Sequence, residues 1–164
     1  MDYQHEVGKP EIPICQLSPF KLYFNGEHLI ATGAWANSGY IAVSGKPDKD
    51  GKFDYSTERQ KLSGVGPIPA GEYWINPSEV WQNTLVKSLT TAPRSAWGDH
   101  RVTIHILPGT NTYGRGGFFI HGGSQAGSAG CIDLTFSMNN FIRDLKKYLD
   151  GAPNCYIPLT VKYL

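Results

Sequence analysis

The amino-acid sequence predicts a mostly β domain, a β-sandwich or barrel with one main C-terminal helix. Nineteen Gly and eleven Pro residues divide the 164-residue chain into short apolar runs, which is typical of strands joined by turns. Hydrophobic residues make up 40% of the chain, enough for a core, and only one segment has convincing helical spacing. Because a chain of this length fits one domain, residues 1–164 are predicted to form a single domain.

The first half of the chain is predicted to contribute four strands. Three of them are short apolar runs before residue 45, over residues 20–24, 28–35 and 40–44. Asn25-Gly26 between the first two is a strong hairpin signal. The polar stretch 45–64 is expected to be an exposed connection, which a turn and a strand near residues 72–76 follow.

The second half is predicted to contribute three strands and the helix. Residues 77–100 read as an irregular excursion, and the strands follow at residues 101–107, 116–122 and 155–164. The period-two alternation of 101–107 predicts a half-buried strand. The helix is predicted to begin after an N-cap at Ser137 and to end at Gly151 and Pro153, with apolar residues at helical spacing: Met138, Phe141, Ile142, Leu145, Tyr148 and Leu149.

Charge and hydropathy exclude two classes of partner. Fifteen Lys and Arg against fourteen Asp and Glu leave a net charge of +1 without a basic run, so no nucleic-acid partner is expected. No window approaches about 18 continuous apolar residues, and the N-terminus lacks a basic region followed by an apolar one. We therefore expect no membrane span and no signal peptide.

The segment 118–134 combines a histidine with a cysteine. His121 ends an apolar run, and Cys131 follows ten residues later at the end of a loop of Gly and small residues. A thiol is a poor nucleophile at neutral pH until a neighbouring imidazole takes its proton, so this pairing predicts nucleophilic catalysis. Small residues around Cys131 would let a carbonyl approach the backbone, where the N–H groups of Gly130 and Cys131 are candidate oxyanion donors.

This pattern resembles the YkuD-like L,D-transpeptidases, whose signature is Ile/Leu-His-Gly followed by Ser/Thr-x-Gly-Cys-Ile. The match covers residues His121, Gly122, Ser128, Gly130, Cys131 and Ile132. It looks closest to the L,D-transpeptidase-like effectors of bacterial type VI secretion, which share the run 128–134. The resemblance implies one catalytic domain in which Cys131 is the nucleophile, His121 its base, and Gly130 and Ser128 the oxyanion loop, with no cofactor and no metal.

Two departures from the classical family affect the site. Ala129 stands where that family usually has His, and Asp133 stands where it has Arg. Arg115 is a substitute candidate for binding a peptide carboxylate, since guanidinium binds carboxylates bidentately. Further candidates for substrate binding are Ser44, Gly122 and Asp133. A carboxylate in a Gly-rich turn, however, more often satisfies backbone N–H groups.

The resemblance implies that the substrate is the stem peptide of peptidoglycan. Cys131 would attack the diaminopimelate carbonyl that precedes terminal D-Ala and form a thioester. The acceptor that releases the thioester, whether water, a D-amino acid or a second stem, stays open. Because this substrate lies outside the cytoplasmic membrane, we expect injection by a type VI apparatus into a neighbour's periplasm, and a cognate immunity protein in the producer.

Other interpretations remain open. Cys131, His121, His105 and Asp133 are permissible zinc ligands, although no metal-binding spacing supports them. Another Cys/His peptidoglycan amidase is possible, but papain-like enzymes have the Cys before the His. A non-catalytic cell-wall binding module would stack sugars on Trp35, Trp74, Trp81 or Trp97. An activated Cys131 should be alkylated faster than Cys15 or Cys155, which would decide against that module.

Cys15 and Cys155 flank the segment that carries the catalytic pattern. They are candidates for a disulfide, because disulfides persist in the periplasm and terminal segments of a compact domain often lie close together. Two unrelated core residues, or a Cys15–Cys131 pair that masks the nucleophile, are the alternatives. His105, within the strand 101–107, is interpreted as a packed or exposed strand residue rather than a third catalytic member.

Overall fold

One curled sheet organises the chain, as a computed structural model describes it over residues 8–13, 15–33, 37–82, 100–123, 126–148 and 156–164. The described strands, in chain order, are β1 Lys21–Phe24, β2 His28–Thr32, β3 Asn37–Ile41, β4 Val43–Ser44, β5 Gly71–Gln82, β6 His100–Ile106, β7 Phe119–His121, β8 Ile132–Asp133 and β9 Ile157–Val161. Helix α1 spans Thr57–Gln60, and a 3₁₀ turn at Thr135–Ser137 leads into α2, Met138–Tyr148.

The strand order explains why the sheet nearly closes into a barrel. The spatial order is β3-β2-β1-β9-β5-β6-β7-β8-β4, so β3 and β4 lie at opposite edges. In the chain, however, only Ala42 separates the end of β3 from the start of β4. The sheet must curl until its two edges meet, which confirms the predicted mostly β, barrel-like fold.

The core fills the inside of this curled sheet. Alternating residues of the strands point inward, among them Leu22, Leu29, Ile104, Ile120 and Leu159, each at most 2% exposed. Helix α2 covers one end through residues predicted for its apolar face, namely Met138, Phe141, Ile142 and Leu145. No helix in the described part of the chain is long and apolar enough to cross a membrane.

Several predicted elements need correction. Strand β5 continues through Gln82, although residues 77–82 were predicted to be irregular, because a bulge between Ile75 and Val80 accommodates Pro77 in the strand. Strand β6 is not half-buried: Thr103 and His105 on its polar parity are 1% and 9% exposed, since other chain segments cover that face. The alternation of residue types therefore did not reveal that both faces are covered.

The ends of the two helices also refine the prediction. In the predicted exposed connection, Ser56 caps α1 by accepting a hydrogen bond from the Arg59 N–H. Ser137 does not show the predicted capping contact. Its hydroxyl instead donates to the carbonyls of Leu134 and Ile41, which ties the start of α2 to β3. The predicted end of α2 at Gly151 and Pro153 lies outside the described residues.

Candidate functional site

Strands β7 and β8 bring His121 and Cys131 to the same face of the sheet. They pair in parallel, with Ile120 opposite Ile132 and His121 opposite Asp133. Both isoleucines are fully buried in the core, so their neighbours in sequence point to the other face. This register places Cys131, the residue directly before β8, next to Phe119 and one pleat from His121.

Both residues line one cavity of about 460 Å³. Its other lining residues are small and come from three loops: Ser63, Gly64, Gly116, Gly117, Gly127, Ser128 and Ala129. A larger cavity of about 660 Å³ lies elsewhere, beside Tyr55 and Tyr163, and neither His121 nor Cys131 lines it. The cavity that contains the thiol and the imidazole is the candidate active site, because its lining carries the reactive groups and leaves room for a backbone to approach.

The hydrogen bond of His121 determines its tautomer. Nδ1 lies 2.7 Å from the carbonyl oxygen of Gly122. A carbonyl only accepts, so Nδ1 carries the hydrogen, and Nε2 of the neutral ring is the basic nitrogen. Burial lowers the pKa of His121, and the charge of Arg101 lowers it further, although the Gly122 bond acts in the opposite direction. The imidazole is therefore neutral at pH 7 and ready to accept a proton.

Cys131 is a buried thiol. Its side chain packs against Phe119, and only 7% of the residue is exposed. Burial raises the pKa of Cys131 to about 12, with a further rise from Asp133, while a backbone hydrogen bond from Phe119 and the charges of Arg101 and Arg115 act to lower it. A thiol with this pKa is not ionised in advance, so it could act as a nucleophile only with a base that takes its proton during the attack.

The loop before Cys131 is fixed by close contacts at its glycines. Gly130 has φ +112°, and a Cβ there would lie 2.7 Å from the Arg115 guanidinium and 2.9 Å from the Phe118 ring. Gly122 is equally confined, since a Cβ would lie 2.7 Å from that of Met138. Ser128 lines the cavity and donates its hydroxyl hydrogen to the Cys131 carbonyl at 2.8 Å. These contacts set the path of the backbone around the thiol.

Asp133 organises the loop. Its two carboxylate oxygens accept from the backbone N–H groups of Gly127 and Thr135 at 3.0 and 2.8 Å. Its nearer oxygen lies 3.9 Å from Nδ1 of His121, beyond hydrogen-bond range. The carboxylate thus satisfies backbone groups, the more common arrangement in such a turn, and burial raises the pKa of Asp133 to about 6.

Arg115 is placed differently from the predicted carboxylate-binding role. The residue is 7% exposed, and its guanidinium donates to the carbonyls of Gln60, Pro67 and Gly66, with a longer contact of 3.5 Å to Ala129. Its donors therefore hold the 60–67 loop against the loop that carries Cys131. Binding a carboxylate would require breaking these bonds, so this geometry favours a structural role.

Ser44 and His105 each have partners outside the pair of reactive groups. Ser44 lies opposite Ile132 in the pairing of β4 with β8, is buried, and accepts from the Ile68 N–H at 2.8 Å. It is not among the residues that line the cavity, and its expected part in substrate binding stays a prediction. His105 stacks on Trp74 and lies between Glu11 and Glu79, at 3.0 and 2.8 Å. It is a packed strand residue that ties the N-terminal segment to β5.

The sequence did not single out Arg101, which the structure places beside the site. Arg101 pairs directly with His121 across β6 and β7, so both side chains share one face. Its guanidinium carbon lies 4.8 Å from the centroid of the Phe119 ring, which packs on Cys131. Twenty residues separate Arg101 from His121 in sequence, and only the strand register brings them together.

Two alternative uses of these residues can be compared with the structure. In the described part of the chain no group of three His, Cys, Asp or Glu residues could hold a metal ion. Trp74 is 6% exposed and donates to the Glu11 carbonyl, so it packs in the interior rather than presenting a ring to a sugar. Trp35 and Trp97 lie outside the described residues, as does the side chain of Trp81.

The cysteines differ in state. Cys15 is disulfide-bonded, whereas Cys131 is a free thiol, which excludes the Cys15–Cys131 pair. The predicted partner of Cys15, Cys155, lies outside the described residues, so that bridge stays a prediction.

Sequence comparison identifies one family. The family model of the Tlde1 domain matches residues 41–158, more than half of the chain. This match includes β4 to β8 and every residue of the candidate site. No curated protein matches the chain significantly in sequence.

Proposed function

The chain belongs to the Tlde1 domain family, a family of type VI secretion effectors, and from this premise we propose that it is an antibacterial cysteine L,D-carboxypeptidase and L,D-transpeptidase. Its substrate would be the tetrapeptide stem of peptidoglycan in the periplasm of a target cell. The observation that carries the proposal is the Cys131 thiol and the His121 imidazole in the wall of one cavity, with Nδ1 of His121 held by the Gly122 carbonyl.

The proposed acylation begins when Cys131 attacks the carbonyl carbon between diaminopimelate and D-Ala. The thiol proton passes to Nε2 of His121 as the sulfur–carbon bond forms, because neither group is ionised beforehand. The oxygen of the tetrahedral intermediate would accept hydrogen bonds from the N–H groups of Gly130 and Cys131. The carbon–nitrogen bond then breaks, and the imidazolium gives its proton to the departing amine of D-Ala.

Deacylation would reverse these roles. The acceptor gives a proton to Nε2 of His121 as it attacks the thioester, and the imidazolium returns that proton to the Cys131 sulfur when the carbon–sulfur bond breaks. Water yields a trimmed tripeptide stem, a free D-amino acid yields an exchanged stem, and the amine of a second stem yields a cross-link. The small residues that line the cavity support the approach of an acceptor to the thioester, and which acceptor is preferred stays open.

Incubating the purified protein with disaccharide tetrapeptides tests the proposed activity. We expect D-Ala release by mass spectrometry, and we expect Cys131→Ala and His121→Ala each to lower turnover by at least about 10³-fold. The double variant should be no worse than either single one, because the two groups act in one step. His28→Ala, an exposed histidine on β2, is the matched control and should keep wild-type turnover. Wild-type turnover in Cys131→Ala would refute the proposal.

The proposed place of action has a separate test in cells. A version exported to the periplasm of a Gram-negative host should be toxic, whereas the same chain retained in the cytoplasm should be harmless, because stem peptides lie outside the cytoplasmic membrane. Cys131→Ala in the exported version is the control and should abolish toxicity. Equal toxicity of both versions would contradict action on peptidoglycan. An effector of this kind also requires an immunity protein in the producing cell.

A further inference from the structure

Arg101 shares the face of the sheet that carries the reactive groups. In the antiparallel pairing of β6 and β7, Arg101 lies opposite His121, and Thr103 lies opposite Phe119. Val102 and Ile120 between them are fully buried in the core. Because side chains alternate along a strand, Arg101 must point to the cavity side together with His121.

The Arg101 guanidinium extends along this face of the sheet toward Cys131. Its central carbon lies 4.8 Å from the centroid of the Phe119 ring, and this ring packs against the Cys131 side chain. The charge acts on both reactive groups, since it lowers the pKa of the thiol and that of the imidazole. One aromatic ring therefore separates a cation from the nucleophile.

Arg115 is the other cation that acts on the thiol, and its donors already hold backbone carbonyls. Arg101, in contrast to the buried Arg115, is partly exposed, and its contact with the face of the Phe119 ring keeps the guanidinium plane oriented. This face of the sheet thus carries a positive charge on β6, on one side of His121, whereas the buried carboxylate of Asp133, on β8 at the other side of His121, is engaged by N–H groups.

The proposed substrate has a negative charge at a matching place. Terminal D-Ala follows the attacked carbonyl directly, and consecutive Cα atoms are about 3.8 Å apart, so its carboxylate must lie close to the thiol. We propose that Arg101 binds this terminal carboxylate and thereby makes the enzyme specific for stems that end in a free D-amino acid. This inference rests on the proposed function and adds the recognition of the leaving group.

The same contact would select the acceptor. In the exchange reaction, the attack of a free D-amino acid on the thioester is the reverse of the step that releases D-Ala. The two steps share one transition state, so the carboxylate of the incoming amino acid occupies the position that the D-Ala carboxylate left. Free D-amino acids should therefore be better acceptors than their amides, and Arg101 should set this preference as well. Water has no carboxylate, so the contact with Arg101 should not affect its reaction with the thioester.

A pair of substrates isolates the contact. Tetrapeptides that end in D-Ala and in D-alaninamide differ only in the carboxylate, and we expect the wild type to prefer the former by roughly 10- to 100-fold in kcat/KM, the range for a charged hydrogen-bonded pair. Arg101→Gln should reduce this ratio to below about 3-fold. Arg101→Lys should keep part of it as a point charge. Arg143→Gln, on the exposed side of α2, is the matched control and should keep the full ratio.

Binding measurements separate this inference from the proposed function. Cys131→Ala should bind the free-acid tetrapeptide more tightly than its amide, and adding Arg101→Gln should remove that difference by calorimetry. A ratio that persists in Arg101→Gln, in turnover or in binding, overturns the inference while the proposed function stands. Absence of D-Ala release by the wild type refutes the proposed function, and the binding comparison still decides the role of Arg101. A partial loss of fold in Arg101→Gln would lower turnover of both substrates by the same factor, so their ratio still reports the carboxylate contact alone.

Discussion

Iodoacetamide should alkylate Cys131 in the native protein faster as the pH is raised. Burial raises the pKa of this thiol from an ordinary 9.0 to about 12. Three pKa units correspond to about 10³-fold less thiolate, or about 4 kcal/mol against ionisation. At pH 8 roughly one thiol in 10⁴ would be ionised, against about one in ten for an unperturbed cysteine. The resting thiol should therefore not be alkylated unusually fast, which revises the expectation drawn from the sequence.

The assay follows the peptide that contains Cys131 by mass spectrometry between pH 6 and pH 10. The logarithm of the native alkylation rate should rise by about one for each pH unit across the whole range, because only the thiolate reacts. The slope is the readout, since burial also slows the reagent by a factor independent of pH. The same chain in urea is the control and should level off near pH 9.

His121→Ala extends the test. If both groups are neutral at rest, removing the imidazole should change the alkylation rate of Cys131 by less than about 3-fold, although it should abolish turnover. A plateau of the wild-type rate below pH 7 that His121→Ala removes would refute this reasoning. It would show a preformed thiolate–imidazolium pair and replace general-base activation with an activated resting nucleophile.

Three further predictions concern the loop that carries the thiol. Arg115→Met should lower the free energy of unfolding in urea by about 3 kcal/mol or more, because buried carbonyls lose their donors, and Arg115→Lys should lose less. Burial raises the pKa of Asp133 to about 6, so the folded state holds this proton more tightly than the unfolded state does. The free energy of unfolding should therefore fall by about 2 kcal/mol as pH rises from 4 to 6, and Asp133→Asn, though less stable throughout, should lack this decline. Gly130→Ala should lower both stability and turnover because its Cβ meets two side chains, whereas Gly51→Ala, also at positive φ but with nothing within 4 Å, should cost only about 1–2 kcal/mol and keep activity.

Much of the fold followed from local sequence signals. The Asn25-Gly26 turn, the apolar runs and the spacing of Met138, Phe141, Ile142 and Leu145 correspond to β1, β2 and α2. What could not be predicted depends on contacts distant in sequence. The covered face of β6 results from packing against Glu11 and Glu79, and the bulge in β5 depends on pairing with its neighbours.

The same distinction holds for the candidate site. His121 and Cys131 were recognisable because their chemistry and short spacing are visible in one segment, and the structure places both in one cavity. Arg115 was selected because it is close to His121 in sequence, yet its donors face loop carbonyls. Arg101 is distant in sequence and adjacent in space, so its position follows only from the register of β6 against β7. A candidate cation is thus better chosen by strand register than by distance along the chain.

The glycines of the loop that carries Cys131 have a topological cause as well as a chemical one. Strands β7 and β8 are parallel neighbours, and parallel strands usually require a crossover of a dozen or more residues. Here residues 122–131 return the chain to the start of the next strand, which is possible because β7 has only three residues and β8 only two. So short a return needs sharp turns, and Gly123, Gly127 and Gly130 have φ of +140°, +126° and +112°, values that residues with side chains rarely adopt.

The parallel pairing of β7 and β8 fixes His121 opposite Asp133, and the carboxylate of Asp133 accepts from the Gly127 N–H. The loop can then leave Cys131 only in the pleat beside His121. Because the strand register places Cys131 beside His121, inserting two residues after Ala126 should leave thiol and imidazole adjacent and keep the circular dichroism of the wild type. The insertion should nevertheless abolish D-Ala release, because it displaces the cavity wall at Gly127 and Ser128. An insertion of the same length beside Gly51, in the exposed connection, is the control, and retained turnover in the first variant would contradict this account.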